Sequence, residues 1–476
     1  MQFFRRSFGI SVLAAILSGL FASTNCAVVA SPPSQDFDKA SVEAVDYLSK
    51  YLQIDTTNPP GNEELGAQFL GKILRDNGLE AEVIPTGEKG RACVYARLKG
   101  NGKKKGIVLL NHIDVVPAVA GDWKFAPFKG EIHDGELWGR GALDMKNMGI
   151  AELEAMLLLK RSGVTLDRDI IFLGTPDEEV GGEHGARWVK ENRPDTVKDA
   201  EFLLNEGFHI VVGSDGKPLY WGVDVAEKSV LWLKITAKGD AGHASVPRRD
   251  SAPNRLVEAL NRLVNAPVEF TILPVVQQFF RDIADVSAPE LRDAYRDLAK
   301  AAADPKASKL LMKDEQLFSR LRNTVSLTVL KSGYKTNVIP AEAYAELDCR
   351  LLPGVKPEEF VAHIKQMLCD PSLDVSIIEW EHAGPSPADT ELFSAIKSVA
   401  AKDMPGVPVV PVIAGWFTDT HWFRELGLTG YGFEPFIMDA EHLETVHGKN
   451  ERIQVAEFGR GVKRLYDILW KLSASE

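Results

Sequence analysis

Residues 174–182 read GTPDEEVGG, and three carboxylates stand side by side in that stretch: Asp177, Glu178 and Glu179. They directly follow an apolar run, DIIFLG at 169–174, that reads as a buried strand. Adjacent negative charges at the end of a core strand repel one another, so either solvent or a cation has to make the cluster tolerable. Similar residues follow the other apolar runs. IVLL (107–110) leads into NHID, with His112 and Asp114, and EFLL (201–204) leads into NEG, with Glu206. GRGALDMK brings Asp144, and HGKNERI, near the C-terminus, brings His447. Imidazole nitrogen and carboxylate oxygen are zinc ligands, and two cations bridged by a carboxylate are a hydrolytic device. Each residue also has an ordinary reading: Asp144 as a helix N-terminal charge, the Glu pair as a solvated loop, His447 as a surface histidine. Their joint placement at successive strand ends favours chemistry, because ligands of open α/β sheets bind at the carboxyl ends of the strands.

Those strand ends need a scaffold. From Phe37 to about Arg193 helical and strand patterns alternate, as in an α/β layered domain. IVLL, IIFL and EFLL are continuously apolar, as strands buried on both faces are. A second style begins near Ala226, with the order βαββαβ, a ferredoxin-like split unit. A mostly helical insert, about 269–320, lies between its first helix and second strand. From about residue 384 the first style returns. The expected fold class is α/β: a catalytic domain (31–225 and 384–476) with a mostly parallel mixed sheet, interrupted by a ferredoxin-like α+β lid or dimerisation domain (226–383).

Composition narrows the function classes. The 476 residues are 45% hydrophobic, enough for a large core and two or three domains. A net charge of −12 without a long basic run argues against a nucleic-acid partner. Cys26, Cys93, Cys349 and Cys369 match neither a zinc knuckle nor a disulfide framework. No G-x-S-x-G elbow and no H-E-x-x-H helix is present.

The first thirty residues read as a targeting segment. Arg5 and Arg6 precede an apolar stretch, about Phe8–Ala22, and small residues lead to a cleavage site after Ala30. The stretch is short for a membrane span, which needs roughly 20 apolar residues. RRSF fits a twin-arginine signal as well as an ordinary one, so both routes stay open. The expected location is periplasmic or secreted, with no stable membrane span after cleavage.

Beyond these motifs, the chain resembles the dinuclear zinc aminoacylase and carboxypeptidase family, which includes acetylornithine deacetylase, succinyl-diaminopimelate desuccinylase, glutamate carboxypeptidase and carboxypeptidase S. The resemblance rests on LLNHIDVVP, DWKFAPFKGEIHDGELWGRGALDMK, GTPDEEVGGEHGA, LLNEG, GHASVP, TNVIPAEAYAELDCRLLPG and HGKNERI, in family order over nearly all of the chain after residue 30. It implies a zinc-peptidase-like catalytic domain and two Zn²⁺ per chain, with Co²⁺ or Mn²⁺ as alternatives. It implies His112 and Glu206 on one metal, Glu179 and His447 on the other, and Asp144 bridging both. Asp114 would hydrogen-bond the second ring nitrogen of His112, and Glu178 would be the general base; spacing alone does not separate Glu178 from Glu179. Asp177 is left as a solvated or outer residue. Two Zn²⁺ against Asp144, Glu179 and Glu206 leave a surplus positive charge to acidify bound water. In the inserted domain the resemblance makes His243 the oxyanion donor, often across a dimer, and Asn337 and Arg350 the substrate-binding pair for a free carboxylate.

The implied activity is amide hydrolysis of small peptides or N-acyl amino acids. The alternative, an inactive binding protein on the same fold, is disfavoured because all five ligands and the base are present. One loop departs from the family's glycine pair. AGWFTDTHWF carries Trp416, Phe417 and His421, bulk that suits apolar or aromatic acyl groups. The 269–320 insert is expected to cover the pocket or to take the place of a dimer partner; a homodimer through the inserted domain remains open.

Export is directly testable. Mass spectrometry of the protein from its native host should find the N-terminus near Ser31. Met1 retained in a cytosolic fraction would overturn the reading.

Overall fold

The apolar runs singled out above form the middle of an eight-stranded sheet. The computed structural model describes residues 35–475; the export segment, 1–30, lies outside them. In spatial order the strands are Ala81–Pro85, Ala92–Leu98, Ile170–Thr175, Gly106–His112, Ala200–Val212, Thr429–Met438, Pro218–Glu227 and Val409–Ala414. The sheet is mixed. Its centre, from Ile170–Thr175 to Thr429–Met438, is parallel. Ala92–Leu98 is antiparallel to both its neighbours, and Pro218–Glu227 is antiparallel to Thr429–Met438.

Every residue of Gly106–His112 and of Ile170–Thr175 is buried, which accounts for their lack of apolar/polar alternation. One face packs on the helices Phe37–Leu52, Lys146–Ser162 and Val455–Ser473 through residues such as Leu48, Leu153, Leu109, Phe172 and Leu465. The middle helix stops at Gly163, whose φ of 65° closes the αL cap. The other face carries Val108, Leu110, Ile171, Leu173, Trp422 and Phe423. The parallel register sets Leu109 beside Phe172 and His112 beside Thr175. The two strands therefore end level, and His112 and the 176–179 loop emerge on the same edge.

One segment differs from the expectation. Glu206 was expected just past the end of the EFLL strand, but the strand runs on to Val212, and Glu206 lies inside it. Its pairing with Thr429–Met438 slips after Gly432. There the backbones nearly touch: a Cβ on Gly207 would lie 2.5 Å from the Gly432 Cα. A period-two reading cannot see such an irregularity, because it is made by the partner strand.

The βαββαβ unit forms a separate four-stranded antiparallel sheet, ordered Thr324–Ser332, Glu342–Leu351, Ser229–Lys238, Asp374–Glu381. Helices Ala252–Val264 and Pro357–Leu368 cover one face with Leu256, Leu260, Phe360 and Ile364. The insert between them is helical, from Pro274–Ile283 to Glu315–Ser319. It packs on the larger sheet. Val276, Phe279, Phe280, Tyr295 and Leu298 join Tyr220, Val410 and Val412 in one core, so the edge strand Val409–Ala414 is covered. Arg320 closes the seam by donating to the Ile413 carbonyl at 3.1 Å.

Phe208 belongs to the same core, and its ring occupies the space a side chain at 222 would need: a Cβ on Gly222 would lie 2.1 Å from the Phe208 Cδ1. Gly222→Ala should therefore destabilise by about 1–3 kcal/mol, the usual cost of overpacking. Urea unfolding would measure it; an unchanged midpoint would show that the ring moves away freely.

Candidate metal centre

Asp144 is the shared member of two donor sets. His112, Asp144 and Glu206 offer ligand atoms within 4.8 Å of one another, and so do Asp144, Glu179 and His447. His112 Nε2 lies 2.9 Å from Asp144 Oδ1 and 3.7 Å from Glu206 Oε2. His447 Nε2 lies 2.9 Å from Asp144 Oδ2 and 3.1 Å from Glu179 Oε2. Ligand atoms around a tetrahedral ion with metal–ligand bonds of about 2.0–2.2 Å sit roughly 3.3 Å apart, so these spacings bracket what an ion needs. Glu179 Oε1 is buried and finds no hydrogen-bond partner among the described residues. The donor set therefore fits a pair of divalent cations.

Electrostatics point the same way. Burial, and then the charge of Glu206, push Glu178 well above the usual carboxylate range. Burial raises Glu206 and Glu179 as well, each further raised by Asp144. Hydrogen bonds to Asp144 and Glu179 push His447 up to about 10. For Asp144 burial acts upward, but hydrogen bonds from His112 and His447 outweigh it and hold the carboxyl down. The cluster draws positive charge toward its centre, which is where cations would sit.

Two further carboxylates fix the loops. Asp114 was expected to bond His112 Nδ1 through its side chain. That nitrogen instead lies 3.0 Å from the main-chain carbonyl of Asp114 and 3.6 Å from the carboxylate. The carboxylate accepts from the amides of Glu178 and Glu179, both at 3.1 Å, and from Asn58 Nδ2 at 2.9 Å. Glu451, which sequence reasoning missed, accepts from the amides of Leu143 at 2.7 Å and Asp144 at 3.0 Å, and pairs with Arg140. It ties the GRGALD loop to the segment that carries His447. Asp177 proves buried, 2% exposed, and not solvated. Its φ of 77° is a left-handed conformation that costs a non-glycine residue free energy. Arg91 holds it at 2.6 Å, the His184 amide at 2.9 Å and Asn58 at 3.3 Å. Glu63 pairs with Arg91 in turn, at 2.7 Å. Asn58, Glu63 and Arg91 left no local signal, because their partners are dozens of residues away.

Beside the donor set lies a cavity of about 380 Å³. Asp144, Glu178, Glu179, Glu206 and His447 form one side; Phe208, Trp416, Phe417, Met438 and Leu443 form an apolar wall. His421 is not in that wall. It is 2% exposed, between the rings of Phe417 and Trp422, with Nδ1 2.7 Å from the Thr418 carbonyl. A cleft of about 510 Å³ also exists on the helix side of the smaller sheet, lined by residues such as Leu263, Leu327 and Phe360, but it holds none of the candidate residues.

The three inserted-domain candidates do not line the metal-side cavity. His243 is exposed and bonded to Ser245 Oγ at 2.7 Å. Asn337 is exposed, and its carbonyl accepts from the Ala244 amide. Arg350 is half-buried, with Nε and Nη2 on Asp348 at 2.8 and 3.0 Å.

Residues 108–471 match the family described as Peptidase family M20/M25/M40. The chain belongs to that family. It is a metallopeptidase or amidohydrolase in class. A "Probable carboxypeptidase S-like 2" from Dictyostelium discoideum is 32% identical over 378 residues, covering 77% of this chain and 71% of that one. An "N-fatty-acyl-amino acid synthase/hydrolase PM20D1" from Xenopus tropicalis is 31% identical over 358 residues, 73% of this chain and 68% of its own. Among solved structures, an M20 family metallo-carboxypeptidase from Sulfolobus solfataricus superposes with a TM-score of 0.68 at 20% identity, over 91% of this chain and 99% of its own, so it shares the fold.

Glu451→Ala removes no donor, yet it frees the amides that aim Asp144. It should weaken metal binding by roughly 10–100-fold, as losses next to a ligand do. Competition with a fluorescent chelator would measure it; wild-type affinity would show that the loop holds itself.

Proposed function

We propose that the chain is a dinuclear metallohydrolase that cleaves an amide bond in small peptides or N-acyl amino acids. The observation that carries this reading is Asp144, whose two oxygens face different imidazoles, each within a separate donor triad. His112 and Glu206 would hold one Zn²⁺ and Glu179 and His447 the other, with Co²⁺ or Mn²⁺ as alternatives. Bound ions would acidify a water and polarise the amide carbonyl. Glu178 lines the same cavity without belonging to either triad. In this reading it takes the proton of the attacking water and passes it to the leaving nitrogen. Asp114 holds Glu178 and Glu179 at their amides, so base and ligand keep a fixed offset.

The apolar wall suits an apolar stretch of an acyl group or a side chain, and a relative named for N-fatty-acyl amino acids agrees with an extended acyl half. Arg350 and Asn337 would take the free carboxylate, and His243 the developing oxyanion. Since none of the three lines the cavity, the reading requires the inserted domain, or that of a second copy in a homodimer, to approach it. Export to the periplasm or medium completes the proposal and rests on the N-terminal segment alone. A binding protein with a dead site is not favoured, because every donor and the base are in place.

Dialysis against a chelator should abolish hydrolysis of N-acyl amino acids and dipeptides, and added Zn²⁺ should restore it. Glu178→Gln should lower kcat by about 10²–10⁴-fold with two metals still bound by elemental analysis. Glu179→Gln should instead lose one metal. A Glu178→Gln protein that loses metal and regains full turnover on metal addition would reverse the two assignments.

A further inference from the structure

The cavity has a polar end that the proposed hydrolysis does not use. His209 lies three residues past Glu206 on the same strand, roughly 10 Å away at most for an extended chain. It lines the cavity, is 8% exposed, and has no hydrogen-bond partner for its ring among the described residues. Burial and the nearby Arg320 push it down to about 4. The imidazole is therefore neutral at ordinary pH, with one donor and one acceptor nitrogen. Gln316, from the helical insert, lines the same cavity and adds a second neutral group of both kinds. Arg320 does not face this end as a free cation: it donates to the carbonyls of Ile413 and Gln316 and lies over the Phe208 ring. Among the described residues, no lysine or arginine lines the cavity.

The cavity lining also carries aromatic rings. Phe208 stacks on Trp416 with centroids 6.0 Å apart, and Phe417 lies beside them in the lining. Packing does not explain His209, since a phenyl ring would fill the same volume without a ring nitrogen that no described residue satisfies. A plain alkyl chain would leave that nitrogen unpaired, and a carboxylate would meet no cation.

We propose that His209 and Gln316 form a subsite for a neutral hydrogen-bonding group, an amide or a hydroxyl, at the far end of the substrate's acyl half, with an apolar spacer along Phe208, Trp416 and Phe417. The proposal rests on the amide-hydrolase reading above and names the acyl class it takes. The substrates are then ω-functionalised or peptidyl acyl groups in preference to simple fatty acyl groups.

The test compares two isosteric substrates, N-adipamoyl-leucine and N-(6-methylheptanoyl)-leucine, which end in a carboxamide and an isopropyl group. The metal-loaded wild type should favour the carboxamide in kcat/KM by about tenfold or more. His209→Phe and Gln316→Leu should each cut that ratio about tenfold, and His209→Gln, which keeps a donor and an acceptor, should retain most of it. Equal ratios in all four proteins, or a wild-type preference for the isopropyl end, would overturn the subsite. Calorimetric titration of the two free acids, adipamic and 6-methylheptanoic, reads the same preference without turnover. If neither leucine conjugate is hydrolysed, the hydrolase reading fails, and the calorimetric ratio still decides the subsite.

Discussion

Negative charge held away from water is the constraint on which the rest of this molecule depends. The strand ends converge on a small volume and bring more carboxylates than two cations need, and the structure deals with them in three ways. Asp144, Glu179 and Glu206 point at the imidazoles and toward the proposed ions. Asp177 and Glu451 are neutralised by Arg91 and Arg140 and spend their oxygens on main-chain amides. Glu152 and Asp419 are buried beside the cluster and Glu434 sits in the cavity lining; their side-chain partners among the described residues are neutral, Asn111 at 2.9 Å, Thr175 at 2.9 Å and Asn147 at 3.5 Å respectively. Burial pushes each of these three well above the usual carboxylate range, so they contribute shape and hydrogen bonding more than charge. Only the first group is left to attract metal, and its geometry is set by the second.

That division explains what the sequence could tell and what it could not. His112, Asp144, Glu178, Glu179 and Glu206 stand next to continuous apolar runs or tight glycine-rich turns, and both features are local. The βαββαβ order of the smaller sheet is local too, since it follows from alternation and turn signals. Asn58, Arg91 and Glu451 are not local. Arg91 acts on Asp177 and Glu451 on Asp144, so their roles exist only once distant segments have met. The slip at Gly432 is likewise made by two strands at once, which is why Glu206 reads as a strand-end residue when its own strand is read alone. His421 shows the converse error. Its place in a bulky loop suggested a pocket wall, but its ring turns inward to pair with the Thr418 carbonyl, a hydrogen bond between residues three apart that composition does not announce.

The helical insert resolves a conflict in the larger sheet. Val409–Ala414 is an edge strand with apolar residues on both faces, a surface that would otherwise pair with another chain. The insert covers it, and in doing so it anchors the smaller sheet at a second place. The chain leaves the larger sheet at Lys228 and returns through 382–386, and these two connections are bonded side by side: the Ala383 amide donates to Ser229 Oγ at 3.0 Å and the Ser386 amide to the Val225 carbonyl at 2.7 Å. The insert's entry and exit are also clamped, by the Thr271 amide on the Leu321 carbonyl at 2.7 Å.

The closure that the proposed function requires would turn the smaller sheet about these two pairs of connections, and distance from them would set how far each residue travels. Arg350 pairs with Val230 and Thr324, at the ends of their strands nearest the connections, so such a turn would carry it over the shorter path. His243 and Asn337 sit beyond the opposite ends, past Lys238 and Ser332, roughly 30 Å away at the rise of a ten-residue strand. They form one unit through the pairing of His243 with Val338, so they swing together and farthest. In the roles proposed above, closure would bring Arg350 toward the cavity over the shorter path and His243 over the longer one. The proposed oxyanion donor would then depend more steeply on the angle of closure than the proposed carboxylate partner, because the two stand at opposite ends of the same strands.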